Sequence, residues 1–424
     1  MFFANEGIGR TDSEVLEYAI ENRGEDGIVV IGKRVSDVEP ERDYWLLDRA
    51  VTLPSDTTVI LRSCMLKLSD QSRDNFFRTA NCGMGIEAPE LVRNVHIRGE
   101  GLCVLQGADH PRSTGDGNKE IADPCPEDPA ELCRLAKWLP PERRSAETLD
   151  KKDKHDHSFG TDAGKEGESQ RGDWRNIGIL FANVEEFSVS GIKIVDSHSW
   201  AISLEACSYG RVERIEFFSE NAKTIDGMRQ SIKNQDGLDL RNGCHHIVIS
   251  DITGQTGDDV VALTAIDSKM PKPGGGLLTS HVMPTDYSRR ESGIHDIIIR
   301  NVCARAGVYS TLRLLPVETK IYNIVADGIV NTSAPGQTPV GSTLILGTAD
   351  STYGRNLPDG LRCITISNVI CNNRFAINVK GYLKDSVITN VINKNPDCPI
   401  LTVDREDGMV NVQTSNLCTV PPCP

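Results

Sequence analysis

The chain has 424 residues, of which 38% are hydrophobic and 25% are charged, and this balance is typical of a folded protein with a core. The formal charge is −14 and the carboxylates are spread along the whole sequence, which argues against a nucleic-acid partner. No apolar stretch approaches the roughly 18 residues that span a bilayer, so we expect no membrane partner.

Thirteen cysteines are scattered without the CxxC or histidine spacing of a zinc site, so we expect no metal and no cofactor. Most of them, such as Cys207, lie in apolar, strand-like segments and are expected to be reduced thiols. The pairs Cys125/Cys133 and Cys418/Cys423 are the best candidates for disulfides. The N-terminus "MFFANEGIGR" lacks the features of a signal peptide, so we expect a cytoplasmic protein, or a secreted one if the sequence is a trimmed form.

The first predicted element is an amphipathic helix within "TDSEVLEYAIENR", residues 11 to 23, with Thr11 or Asp12 as the N-cap. We expect this helix to cap the open end of a stack of strands, because such an end leaves backbone groups unpaired. Residues 5–110 then hold the cap and the first strands. Residues 111–173 are rich in Pro, Gly and charge and form a long insertion, either a solvated loop or a lid over a groove.

Residues 174–395 contain a repeat that decides the fold. "EFSVSGI", "HHIVISDI", "HDIIIRNV", "YNIVADGI", "RCITISNVI" and "DSVITNVI" each alternate apolar and variable positions and place Asn, Asp or Gly before the next apolar residue. A looser copy is "GRVERIEF". Between successive copies, gaps of 23, 27 and 22 residues indicate one turn of a coil, gaps of 37 and 40 one turn with a long loop, and the gap of 50 two turns.

Recurring strands without intervening amphipathic helices do not fit an α/β sheet, and two-residue hairpin turns typical of a β-sandwich are mostly missing. The pattern predicts an all-β fold: a single-stranded right-handed parallel β-helix with an N-terminal capping helix. Asn, Asp and Gly would stack at its corners. We expect one domain over residues 1–424, in which residues 396–424 form an irregular tail.

Two strand-like segments carry carboxylates that resist burial. "NQDGLDL" contains Asp236, and "TGDDVVALTA" contains Asp258 and Asp259. Asp236 and Asp258 are 22 residues apart, so one coil would place them on neighbouring rungs about 5 Å apart. Like charges at that distance separate their pKa values, as acid and base roles require. Asp259 would join them only if the chain bends at Gly257, and a structural role as a corner ladder or calcium site is the alternative.

With these motifs one coil apart, the sequence resembles the NTD and GDD motifs of polygalacturonases and their relatives in glycoside hydrolase family 28. The segments "GIGRTDSEVLEYAIE", "NVHIRGEG" and "IVDSHSWAISL" are also similar to that superfamily, and the resemblance covers about residues 5–110 and 175–395. It implies hydrolysis of a carbohydrate with inversion. Asp258 would be the general acid, Asp236 and Asp259 would activate water, and Asn234 of the NTD-like motif would contact the sugar.

The sequence departs from the family where the family recognises its substrate. The family places a GHG histidine after GDD, but here the nearest candidate is the lone His281 in "SHV". "TLRLLP" places Arg313 where the family has the arginine of its RIK motif, while Leu315 occupies the lysine position. Because the basic pair binds the substrate carboxylate in the family, the loss of lysine puts galacturonate in doubt. Arg313 either binds substrate or pairs with an Asp at the edge of the core.

The resemblance therefore predicts a divergent, polygalacturonase-like glycoside hydrolase, of the EC 3.2.1 class, that cleaves an oligo- or polysaccharide, with a uronate-containing, pectin-like one as the first candidate. A calcium-dependent polysaccharide lyase or epimerase on the same fold is one alternative, in which Arg313 or a histidine would abstract a proton. A carbohydrate-binding β-helix without catalysis is another. The sugar, endo or exo action and the oligomeric state stay open.

Overall fold

The computed structural model describes residues 1–4, 10–36, 39–83, 86, 88–111, 114, 170–171, 174–225, 227–232, 234–266, 277–278, 282–283, 291–334, 341–348, 354–372 and 375–420. The chain divides into two compact units. The first unit comprises Met1–Ser203, Phe218–Gln235 and Thr279–Pro284, and the second comprises Leu204–Phe217, Asp236–Leu278 and Thr285–Pro424. The predicted single domain over residues 1–424 stays a prediction.

The described chain is built almost entirely from strands. One α-helix, α1, spans Asp12–Glu21, and a short 3-10 helix spans Trp174–Asn176. The strands are β1 (Phe2–Phe3), β2 (Ile28–Ile31), β3 (Trp45–Leu47), β4 (Val51–Leu53), β5 (Thr57–Arg62), β6 (Met65–Leu68), β7 (Phe77–Thr79), β8 (Val92–Glu100), β9 (Val104–Gln106), β10 (Gln170–Arg171), β11 (Ile179–Ala182), β12 (Val184–Val195), β13 (Ile202–Glu205), β14 (Ser208–Phe218), β15 (Ala222–Ile225), β16 (Met228–Ser231), β17 (Leu238–Arg241), β18 (His245–Thr256), β19 (Val261–Ile266), β20 (Leu277–Leu278), β21 (Ile294–Ala306), β22 (Ser310–Val317), β23 (Ile321–Asn331), β24 (Ser342–Leu346), β25 (Leu361–Cys371), β26 (Phe375–Val379), β27 (Leu383–Asn393), β28 (Leu401–Val403) and β29 (Met409–Thr419).

Helix α1 begins where the sequence predicts. Thr11 is the N-cap, and it forms a reciprocal capping box in which the Glu14 backbone N–H donates to Thr11 Oγ1 and the Thr11 backbone N–H donates to a Glu14 carboxylate oxygen. The buried face of the helix includes Leu16 and Ala19, and the helix packs against β2, β3 and β4. The prediction of a helix that covers the first coils is therefore confirmed, and of the two N-cap candidates Thr11 takes the role.

In the first unit, strands far apart in sequence lie side by side and parallel. β1, β2, β5, β8 and β12 follow one another in one sheet, and β4, β7 and β11 follow one another in a second. Since the chain visits both sheets between neighbouring strands, it winds as a coil. The inward row of the first sheet is Val29, Val59, Ile97 and Val189, all fully buried. Stacked aliphatic side chains of this kind form the core of a parallel β-helix.

The second unit repeats this arrangement. β18, β21, β23, β25, β27 and β29 form consecutive parallel neighbours in one sheet, and β17, β19, β22, β24, β26 and β28 do so in another. The inward rows are Ile249, Ile299, Ala326, Ile366 and Ile388 in the first of these sheets and Leu240, Leu263, Leu314, Leu346 and Val379 in the second. All ten side chains are fully buried. The predicted right-handed parallel β-helix is confirmed. The irregular tail predicted for residues 396–424 is wrong, because β28 and β29 pair in parallel with β26 and β27 and continue both sheets.

Two rows of residues with positive φ bend the long strands of the second unit. One row is His246, Asp296, Asn323, Cys363, Asp385 and Asn411, and the other, five positions later, is Asp251, Asn301, Gly328, Asn368, Asn390 and Asn416. Asn and Asp tolerate this left-handed conformation because their short polar side chains bond locally. The side chains also bond between coils: Asn416 Nδ2 donates to Asn390 Oδ1 over 2.9 Å, and Asn323 Nδ2 donates to Asp296 Oδ1 over 3.0 Å. The predicted polar corner stacks are confirmed.

The coils differ in length although their register is constant. Neighbouring strands β18 and β21 align residues 50 apart, β23 and β25 residues 40 apart, and β25 and β27 residues 22 apart. The interpretation of the 50-residue gap as two turns is therefore wrong, because β18 and β21 are direct neighbours. The gap is one coil that carries a long excursion.

Some sequence predictions fall on residues that the structure does not describe. The insertion at 111–173 lies outside the described residues except for residues 111, 114 and 170–171, and Cys125, Cys133 and Cys423 also lie outside them. Every cysteine within the described ranges is a free thiol. In those same ranges, no helix has the length and apolar character needed to cross a membrane.

Candidate active site

The second unit brings the predicted acidic residues to the beginning of two paired strands. Leu238 of β17 pairs with Val261 of β19, 23 residues later, and the Gly237 N–H donates to the Asp259 carbonyl over 2.9 Å. Continuing this register places Asp236 opposite Asp259. The predicted 22-residue pairing of Asp236 with Asp258 is therefore wrong by one position, and Asp258 precedes the aligned pair.

Gly237 lets the two segments approach each other. A Cβ atom at this position would lie 2.4 Å from the Val260 carbonyl oxygen and 2.7 Å from the Phe217 ring, and real side chains do not reach such distances. A residue other than glycine would push the start of β17 away from β19. The glycine beside Asp236 therefore has a packing role that determines where this carboxylate lies.

Asp259 is 2% exposed and accepts three hydrogen bonds. The Ser310 backbone N–H and hydroxyl donate to Oδ1 over 2.8 and 2.6 Å, and Arg313 Nη1 donates to Oδ2 over 3.2 Å. A buried carboxylate needs both an opposite charge and filled hydrogen-bonding positions, and β22 supplies both. The Asp259 side chain is therefore held in one orientation by residues more than 50 positions away in sequence.

Asp258 differs from the other two carboxylates in its exposure. Asp236 and Asp259 are buried, whereas Asp258 is half-buried. The Thr256 hydroxyl donates to the Asp258 carbonyl over 2.7 Å, so the bend that carries Asp258 is held by a local hydrogen bond. Of the three aspartates, Asp258 is the residue with the largest exposed fraction, although its Oδ1 atom is buried.

Two roles are predicted for Arg313, and in the structure it fills one of them by forming an ion pair with an aspartate. Its side chain is 12% exposed, it pairs with Asp259, and its guanidinium lies 4.9 Å from the centre of the Tyr309 ring. Leu315, at the position of the family lysine, is buried and clusters with Ile266 and Val317. The substrate-binding role of Arg313 stays a prediction, and Leu315 brings no positive charge to the site.

No contact among the described residues joins the other predicted site residues to the three aspartates. Asn234 is half-buried with a left-handed backbone, and its carbonyl accepts a hydrogen bond from the Ser199 hydroxyl over 3.3 Å within the first unit. His281 lies outside the described residues. Their roles in substrate binding stay predictions.

No sequence motif marks Ser310 or Tyr309, although both contact members of the group. Ser310 donates two hydrogen bonds to Asp259, and Tyr309 covers the Arg313 guanidinium. Both lie just before the apolar run of β22 in "YSTLRLLP". The two residues can be located only when the register between β19 and β22 is known, in which Ala262 pairs with Arg313.

The comparisons with known proteins agree with this architecture. Residues 158–276, which include all three carboxylates, match the model of the glycosyl hydrolases family 28. This match confirms the resemblance predicted from the motifs and supports classification of the chain as a glycoside hydrolase. No curated protein sequence matches the chain significantly.

Among solved structures, the chain is similar to a hyperthermoactive exopolygalacturonase from Thermotoga maritima, with 16% identity, 97% of this chain and 89% of that chain covered, and a TM-score of 0.50. It is also similar to a double mutant of the tailspike protein of E. coli bacteriophage HK620 in complex with pentasaccharide, with 11% identity, 98% and 64% of the two chains covered, and a TM-score of 0.54. At these identities the likeness concerns the fold.

Proposed function

We propose that this protein hydrolyses a glycosidic bond in an oligo- or polysaccharide that contains uronate, with inversion at the anomeric carbon. The observation that carries the proposal is the fixed orientation of the Asp259 carboxylate by Ser310 and Arg313, beside Asp236 and directly after Asp258. The family match over this segment and the likeness to the exopolygalacturonase from Thermotoga maritima support a pectin-type substrate.

The proposal assigns the role of general acid to Asp258. A general acid must reach the leaving oxygen of the substrate, and Asp258 is the most exposed residue of the three. It gives its proton to the glycosidic oxygen as the bond to the anomeric carbon breaks. The aglycone then leaves as a neutral alcohol.

Asp236 and Asp259 hold and activate the water that attacks the opposite face of the sugar. The hydrogen bonds from Ser310 leave Asp259 with a single orientation, which is what positioning of a water requires. One carboxylate accepts a proton from the water as its oxygen bonds to the anomeric carbon. Inverting enzymes place acid and base about 6.5 to 9.5 Å apart to hold this water.

The test compares two Asp→Asn variants on a panel of uronate-containing and neutral oligosaccharides. Asp258→Asn should lower kcat by about 100-fold or more, because general acid catalysis contributes at least that much. Asp251→Asn is the matched control, since exposed Asp251 lies in a corner row where Asn is tolerated, and it should keep full activity. Equal cleavage by wild type and Asp258→Asn would contradict the assignment.

The products distinguish the alternative functions. Proton NMR of the freshly released sugar should show the inverted anomer. An unsaturated product that absorbs ultraviolet light, formed only with calcium, would favour the lyase or epimerase instead. Binding of oligosaccharides without any product would favour a carbohydrate-binding β-helix.

We also propose a cytoplasmic location, which the free thiols in the described ranges support. Fractionation of the native host cells, with the protein detected by antibody, tests it. Recovery of the protein outside the cells would contradict this proposal and leave the proposed chemistry unaffected.

A further inference from the structure

A group of histidines lies on the second unit at the corner between β18 and β21. His245 and His295 occupy the same register position on these neighbouring strands, and each is followed by a residue with positive φ, His246 and Asp296. The left-handed backbone turns the side chains of His246 and Asp296 to the same corner row. Two coils thus bring three imidazoles and one carboxylate together.

We propose that His246, His295 and Asp296 bind a divalent transition-metal ion of the zinc class. One ligand atom from each of the three residues lies within 4.8 Å of the others. His295 Nδ1 is 2.7 Å from Asp296 Oδ2, and His246 Nε2 is 3.8 Å from the same oxygen. Ligand atoms around a tetrahedral zinc ion lie about 3.3 Å apart, given bonds of about 2.0 to 2.1 Å, so small rotations of these side chains suffice.

Neighbouring groups hold the proposed ligands in place. His245 Nδ1 lies 2.9 Å from His246 Nδ1, which leaves His246 Nε2 facing Asp296. The His295 ring stacks between those of His245 and Tyr322, with centroids 5.0 and 4.8 Å away. Metal-binding histidines are commonly oriented through their other ring nitrogen, as His246 is here through its contact with His245.

The ligand types indicate which ions fit. Imidazole nitrogen suits Zn²⁺, Cu²⁺ and Ni²⁺, whereas Ca²⁺ and Mg²⁺ prefer sites made of oxygen atoms. Two imidazoles and one carboxylate leave a fourth coordination position for water. The site is half-buried to exposed, so an ion can enter from solvent.

A metal ion at this site would join the coils of β18 and β21. Of the aligned strands of the second unit, these two are separated by the longest excursion. His246 and Asp296 are 50 residues apart, and the segment between them contains Asp258 and Asp259. An ion that binds only the folded state stabilises it in proportion to the logarithm of its concentration. We therefore expect zinc to raise the Tm of the protein.

The test is calorimetric titration of the full chain with zinc chloride after treatment with EDTA. His295→Phe keeps the stacked ring but removes its nitrogens, and Asp296→Asn keeps a residue that tolerates the left-handed backbone. Each variant should bind zinc about 10-fold more weakly or worse, and lose the zinc-dependent rise in Tm. His110→Gln is the matched control, because His110 lies in the first unit and pairs with Asp70, and it should bind as wild type does.

Absence of zinc binding by the wild type would overturn the proposal. Unchanged binding by both variants would also overturn it, because the ion would then lie at other residues of the chain. If one variant fails to fold in EDTA, as judged by circular dichroism, the other variant decides the outcome. The activity of the enzyme does not enter this test.

Discussion

The corner rows and the acidic group are both polar, but they are stabilised in different ways. Each Asn in a corner row bonds to a similar residue one coil away, as Asn416 does to Asn390, so the same interaction repeats along the unit. Asp259 instead depends on its bonds to Ser310 and Arg313, and these bonds form once and do not repeat from coil to coil. Loss of one corner residue removes one bond among many, whereas loss of Arg313 leaves a buried charge without its opposite charge. The two regions should therefore respond differently to mutation.

The largest effect is expected when the buried ion pair is broken. Arg313→Met should lower the free energy of unfolding by about 3 to 5 kcal/mol, because the Asp259 carboxylate then remains buried without a cation. Urea unfolding of the purified variant measures this. Combining Arg313→Met with Asp259→Asn should recover part of the lost free energy of unfolding, since the buried carboxylate charge is gone. Strictly additive losses in the double variant would show that the pair does not couple.

A smaller but substantial effect is expected at Gly237. Gly237→Ala should lower the free energy of unfolding by about 1 to 3 kcal/mol, because its Cβ would overlap the Val260 carbonyl and the Phe217 ring. Activity should fall as well, since Asp236 is the adjacent residue. Gly32→Ala is the matched control, because Gly32 has no positive φ and no neighbour within 4 Å of an added Cβ, and it should keep the stability of the wild type. Equal stability of wild type and Gly237→Ala would refute this role of the glycine.

The corner rows should show a milder loss. Asn390→Ala should cost about 1 to 2 kcal/mol, because alanine is strained at a φ of 56° and loses the bonds to Asn368 and Asn416. Asn390→Gly removes the strain and should lose less. Thermal unfolding compares the two variants, and catalytic rates should match wild type in both. A loss of activity at unchanged stability would mean that the two regions are linked.

The smallest effect concerns pH and His96. Burial lowers the pKa of His96 below its usual value, and the nearby Arg98 lowers it further, while Glu186 acts in the opposite direction. The unfolded chain then binds a proton more readily than the folded one, so stability should fall as the pH drops through the ordinary pKa of histidine, about 6.5, toward the lower folded value. His96→Gln should flatten this part of a stability curve measured between pH 5 and 8. An unchanged slope would assign the pH dependence to other groups.

The repeating part of the fold could be predicted because it is local and periodic. The alternation in "HDIIIRNV" identifies inward positions, and the Asn or Asp before the next apolar residue marks a left-handed corner. The capping helix is predictable from Thr11 and from its apolar face. These signals lie within single coils, so no knowledge of distant residues is needed.

The details of the acidic group could not be predicted because they depend on register. Counting residues pairs Asp236 with Asp258, but the bend before β19 takes up one more residue and aligns Asp236 with Asp259. The pairing of Asp259 with Arg313 joins residues 54 positions apart. The prediction for the 50-residue coil is wrong for the same reason, since spacing alone does not separate a second turn from an excursion.

The constant register of coils with unequal lengths has an evolutionary consequence. Neighbouring coils of 50, 40 and 22 residues all close on the same corner rows. A segment between two rungs can therefore be lengthened, shortened or exchanged while the strands on either side keep their partners. Grafting a foreign segment between two rungs, one coil at a time, is therefore a practical route to engineering the scaffold.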